Sequence, residues 1–175
     1  MLDGPTTILA WSPDGRRAVS GAAGLEVIDM ASGERKILVR GIEASTASWS
    51  PDGKRIAFRR IEWGGAGSDV MIVGADGSGQ RIVSNRSIRN LFPRTDLSFR
   101  YPTWSPDGTR VMAIANSRGY GDHGPPFFEV RGELYLFTAD GKETSLRIEG
   151  SSNHEQIEYA VWCPDRRGAA GSGSR

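Results

Sequence analysis

The sequence holds one cysteine, Cys163, which excludes a disulfide within the chain. Histidine is nearly as scarce. His123 and His154 lie far apart, and neither has a second ligand at metal spacing. The adjacent pairs Asp122–His123 and His154–Glu155 point apart on a strand, so no metal site is expected. Asp14, Asp52 and Asp107 are lone carboxylates without the D-x-D-x-D cadence of a calcium loop. Gly64-Gly65-Ala66-Gly67 and Gly77-Ser78-Gly79 are followed by neither a Lys-Ser/Thr pair nor a helix, so they are not phosphate loops. No cofactor is expected. There is no G-x-S-x-G stretch, so the nucleophile of an α/β-hydrolase is absent and no catalytic residue is assigned. No run approaches the roughly 18 apolar residues of a membrane span. The opening MLDGPTTILAWSPDG has no basic and then apolar stretch, so neither membrane insertion nor a secretory leader is expected. Lysine is rare, 3 against 19 arginines, yet acidic residues balance the sum at +1. A balance so close to zero offers no general attraction to nucleic acid.

What is abundant is one pentapeptide. Trp11-Ser12-Pro13-Asp14-Gly15 returns as Trp49-Ser50-Pro51-Asp52-Gly53 and as Trp104-Ser105-Pro106-Asp107-Gly108. A worn copy, Trp162-Cys163-Pro164-Asp165, ends in Arg166 instead of glycine. The tryptophans are spaced by 38, 55 and 58 residues, an interval that suits propeller blades or helical repeats. Between them lie strand-length apolar pieces cut by Gly, Pro, Asp and Ser, with no long stretch at helical spacing. Each repeat therefore reads as four short strands, a to d. In Ser-Pro-Asp-Gly, proline pre-sets φ, aspartate bonds backbone amides and glycine takes the left-handed conformation, which closes an a–b hairpin. A second turn, at Ala31-Ser32-Gly33, Ala75-Asp76-Gly77 and Ala139-Asp140-Gly141, joins c to d. The tryptophan before each first turn is expected to wedge between neighbouring sheets.

The stretch WSPDGKRIAFRR…DVMIVGADGSGQRIVS, from Trp49 to Ser84, resembles the TolB-type β-propeller with its WSPDG repeat. The resemblance covers about residues 6–162. It implies an all-β fold of four-stranded antiparallel blades: about 6–40, 45–84 and 100–149, plus an extra strand at 157–162. The propeller part is 1–165, and 166–175 is expected to be a disordered tail. Propellers close with four or more blades. Three and a fraction therefore imply a partial ring, cut from a larger propeller or completed by a homodimer. The resemblance also implies a periplasmic or cell-envelope setting, whereas the missing leader points to the cytoplasm.

Strand parity divides the fold into two faces. Every tight repeated turn is a–b or c–d and lies at one end of a blade. Every long connection, 61–68, 85–99, 116–132 and 150–156, is b–c or d–a and lies at the other. Loops on a rigid scaffold are where binding usually resides. On that face Trp63, the arginines Arg86, Arg89, Arg94 and Arg100, and the aromatic, polar loop of Tyr120, Asp122, His123, Phe127 and Phe128 are the candidate binding residues. The tryptophan, proline, aspartate and glycine of each repeat (Trp11, Pro13, Asp14, Gly15; Trp49, Pro51, Asp52, Gly53; Trp104, Pro106, Asp107, Gly108; Trp162, Pro164, Asp165) are assigned to architecture. The leading expectation is a non-catalytic module that binds a protein or peptide, as in TolB. Two alternatives remain: a segment of the substrate-gating propeller of a prolyl oligopeptidase-like serine peptidase, and a ligand-sensing propeller.

Overall fold

A computed structural model of the chain describes residues 7–21, 24–61, 67–84, 95–119, 133–142, 144–149, 160–162 and 170–171. Among the described residues there is no helix, hence none long and apolar enough to cross a membrane. Blade one consists of β1 (Ile8–Trp11), β2 (Arg17–Ser20), β3 (Leu25–Asp29) and β4 (Arg35–Val39), in that spatial order and antiparallel throughout. Blade two contains β5 (Glu43–Trp49), β6 (Arg55–Ile61), β7 (Ser68–Gly74) and β8 (Arg81–Ile82). Blade three contains β9 (Thr95–Trp104), β10 (Arg110–Gly119), β11 (Glu133–Thr138) and β12 (Thr144–Glu149). The final pair is β13 (Val161–Trp162) with β14 (Ala170–Gly171). These are the expected β-propeller blades: three complete, followed by the start of another.

The repeated turn closes as its chemistry dictates. The glycine N–H donates to the serine carbonyl three residues back at 2.9 Å in all three copies. Gly15, Gly53 and Gly108 sit at φ 70°, 65° and 68°, in the left-handed region that excludes most side chains. The serine hydroxyl donates to the aspartate Oδ1 (2.6, 2.5 and 2.6 Å) and accepts the N–H that opens strand b, at 2.9 Å each time. The same Oδ1 accepts a backbone N–H two residues on, at 3.0 Å. Serine hydroxyls first, and these amides second, hold Asp14, Asp52 and Asp107 below the ordinary carboxylate value of 3.8.

That shift has a signed consequence. A carboxylate whose folded pKa is depressed leaves the unfolded chain to bind protons first as pH falls. The stabilisation by these turns is present above 3.8 and disappears as pH drops through the folded values. The midpoint of thermal unfolding is expected to fall as pH drops from 5 to about 2. Asp107→Asn should flatten that decline. An unchanged slope in the variant would show that the turn carboxylates do not drive it.

Blades stack through a repeated link. Arg17 lies over the Trp49 ring at 4.7 Å and donates through Nη2 to Gly53 O at 3.1 Å. Arg55 repeats this one blade later, over Trp104 at 4.6 Å and to Gly108 O at 2.9 Å. The guanidinium closing one motif thus grips the ring and the turn of the next, a cation–π contact backed by a charge-assisted hydrogen bond. Trp104 Nε1 donates to Ser48 O and Trp162 Nε1 to Thr103 O, each at 3.2 Å, so the indole also reads the backbone of the preceding blade. Trp49 and Trp104 are buried, and Trp162 is half-buried. The core between blades one and two gathers Val19, Val27, Trp49, Ile56, Phe58 and Val73. The core between blades two and three gathers Ala57, Ile72, Phe99, Trp104, Tyr135 and Phe137.

The structure departs from expectation at four places. Trp11 is no wedge: it is 54% exposed, because its side of blade one has no blade against it among the described residues. The connections expected at 85–99 and 116–132 are shortened, the first at its end by β9 from Thr95 and the second at its start by β10 up to Gly119. Residues 95–98 and 116–119 pair with each other as extensions of β9 and β10. A parallel bridge between Ser68 and Ser98 consequently joins blades two and three into one hydrogen-bonded sheet at that end. Within the tail expected to be disordered, Ala170–Gly171 pair with Val161–Trp162; unpaired strand amides seek any available partner. Residues 166–169 and 172–175, like Pro164 and Asp165, lie outside the described residues.

Candidate functional site

Alternation along β6 sends its two neighbouring arginines to opposite sides of the blade. Arg60 leaves on the side of Phe58, toward blade one. It meets the buried Asp69 at 2.7 Å, and Asp69 in turn accepts Ser84 Oγ at 2.8 Å. That is a half-buried ion pair whose carboxylate is buried and supported, a structural element. Arg59 leaves on the side of Ala57, toward blade three, and its surroundings differ. Nε donates to Ser68 Oγ at 2.9 Å, Nη1 to Ser45 Oγ at 3.3 Å and Nη2 to Ser98 Oγ at 3.1 Å. Ser68 is buried, and it fixes the junction further by bonding Ser98 Oγ at 3.0 Å and Phe99 O at 2.9 Å.

The cluster thus draws on four strands, β5, β6, β7 and β9, and on two blades. It lies at the end of the fold opposite the Ser-Pro-Asp-Gly turns, where the long connections depart. Among the described residues Arg59 makes no ion pair. Its three partners are neutral hydroxyls, which orient a guanidinium without neutralising it. Burial first, and then the charge of Arg100, draw the Arg59 pKa below the ordinary arginine value; Glu43 and Tyr101 oppose them. Arg100 follows Ser98 by two residues on β9 and is exposed. Next to it, Tyr101 occupies φ 53° in a bulge where β9 carries two residues against one on β10. A non-glycine residue there is uncommon and turns the strand locally.

Of the expected binding residues, Arg100 is described and stands in this cluster, on a strand instead of a loop. Trp63, Arg86, Arg89, Arg94, Tyr120, Asp122, His123, Phe127 and Phe128 lie outside the described residues. Sequence reasoning passed over Arg59 and its three serines. One signal was available: Arg59 follows the strand-b residue facing its tryptophan by three positions, and blade three has the buried Ile114 there. Ser45 and Ser68 come from the strands that flank β6 in its own blade, whereas Ser98 carried no signal, because β9 reaches Arg59 only through the stacking of blade three on blade two.

No family model matches the chain. It is 27% identical over 140 residues to the probable dipeptidyl-peptidase 5 of Arthroderma benhamiae, covering 73% of this chain and 19% of that protein. The dipeptidyl-peptidase 5 of Trichophyton schoenleinii matches to the same extent. The chain therefore spans about a fifth of the length of these curated relatives. Among solved structures, the β-propeller domain of the trilobed protease of Pyrococcus furiosus superposes with a TM-score of 0.57 at 15% identity, covering 90% of this chain and 45% of that one. The acylaminoacyl peptidase of Pyrococcus horikoshii superposes at 0.55 and 18% identity, covering 83% and 24%. The fold is that of a β-propeller, and the relatives just named are peptidases. The TolB-type kinship expected from the repeat gains no support from a family model.

Proposed function

We propose that this chain is a section of the substrate-gating propeller of a prolyl oligopeptidase-like serine peptidase. The observation that carries the reading is the 140-residue likeness to the dipeptidyl-peptidases, which covers 73% of this chain. Of the three readings that the repeat left open, the relatives support the peptidase propeller over a TolB-type interaction module. The sequence has no G-x-S-x-G elbow, so in this reading bond cleavage belongs to a hydrolase domain elsewhere in the parent protein. Its blades contribute the wall that screens peptides. The exposed Trp11 ring fits this role, since Trp49 and Trp104 show how a preceding blade would cover it.

The test uses the parent gene. The reading frame that contains these blades is expected to encode a G-x-S-x-G hydrolase domain. The whole protein is expected to release dipeptides from chromogenic dipeptidyl anilides, and serine-to-alanine replacement in that motif should reduce turnover by at least ~1000-fold. A parent protein without the motif, or one inert toward such peptides, overturns the proposal.

A further inference from the structure

We propose that Arg59 and Arg100 form a carboxylate-binding site at the long-loop end of blades two and three, which takes a carboxylate of a peptide held by the propeller. The substrate class rests on the peptidase-propeller reading; the site itself rests on geometry. A guanidinium has five N–H donors in a planar fork. The three serines take one from each nitrogen of Arg59, which leaves one N–H on Nη1 and one on Nη2. Two such donors on one fork match the two oxygens of a carboxylate. The serines lock the fork in place, so little side-chain entropy remains to be lost when an anion arrives.

The charge pattern points the same way. Arg60, on the same strand, has its carboxylate in Asp69, whereas Arg59, one residue earlier, has only hydroxyls within hydrogen-bonding distance among the described residues. Arg100 adds a second cation on the same side and remains exposed. Two guanidinium groups held near each other repel, and an anion between them relieves that repulsion. Glu43 lies close enough to act on Arg59 but makes no ion pair with it among the described residues. A peptide offers a carboxylate from two sources, its C-terminus or an Asp or Glu side chain.

Isothermal titration of the 175-residue chain with three probes tests this: N-acetyl tetra-alanine as the free acid, the same peptide as its C-terminal amide, and the amide of N-acetyl-Ala-Glu-Ala-Ala. The expected result is binding of the free acid or of the glutamate peptide at least ~10-fold tighter than the neutral amide, and whichever is preferred names the source. Arg100→Gln should abolish the preference without changing the unfolding midpoint, since Arg100 is exposed. Arg59→Gln should do the same. If it also loosens the blade junction and lowers the midpoint, Arg100→Gln alone decides. Equal affinity for all three probes overturns the site and leaves the peptidase reading standing. An acid preference that survives Arg100→Gln overturns it too. Failure of every probe to bind overturns the site and leaves the peptidase reading to the parent-gene test.

Discussion

Replacing Trp104 by alanine is expected to cost about 3–5 kcal/mol of folding stability, read from urea denaturation. The ring is 5% exposed, packs in the core between blades two and three, carries Arg55 on its face at 4.6 Å and donates to Ser48 O at 3.2 Å. Alanine removes all of these together and leaves Arg55 above a hole. The control lies in the same pentapeptide. Trp11→Ala, at a 54% exposed ring, should change stability by less than about 0.5 kcal/mol. One motif at two places is thus expected to give effects that differ several-fold, because the neighbouring blade supplies most of the contacts. Equal losses at both positions would show that the tryptophan works within its own hairpin and not as a link between sheets.

Phe99→Ala is expected to be similarly severe, about 3–5 kcal/mol. Phe99 is 1% exposed and meets Tyr135 and Phe137 edge-on, with centroids at 5.6 and 5.5 Å. Edge-to-face contacts of this kind add to the value of area burial alone. The consequence extends to the arginine cluster. Phe99 O accepts the Ser68 hydroxyl, and Ser98 next to it holds Arg59. Loss of the ring should therefore weaken the blade junction and any anion preference with it, whereas Phe99→Leu should retain much of both. A loss below about 1 kcal/mol for the alanine variant would remove Phe99 from the core.

The same residue shows where sequence reading stops. On the sequence, Phe99 belongs to a fifteen-residue connection at 85–99, beside arginines that look like a binding loop. In the structure β9 starts at Thr95, and Phe99 faces the blade interior. The error has a physical source. Residues 95–98 are polar or mixed, and they become strand because 116–119 lie opposite to accept their hydrogen bonds. No local propensity announces a partner some twenty residues away. Arg59 is the complementary case: its strand was legible and Ser45 and Ser68 lie on that strand's own neighbours, but Ser98, which completes the set, arrives only through the stacking of blade three.

What the sequence determined by itself is the unit. The order Trp-Ser-Pro-Asp-Gly-x-Arg carries its turn in local chemistry: fixed φ at proline, a carboxylate for nearby amides and a left-handed glycine. Alternation then orients the strands on either side. These effects act over a few residues, so four strands per blade and the division into a trimmed and an elaborated face could be read directly. Only the tertiary structure decided which tryptophans are wedges, that Arg17 and Arg55 grip the next blade, and that Arg59 and Arg100 converge at one end. Those outcomes depend on contacts 30 to 60 residues apart in the chain, and spacing along one strand contains no information about what a neighbouring sheet will bring to it.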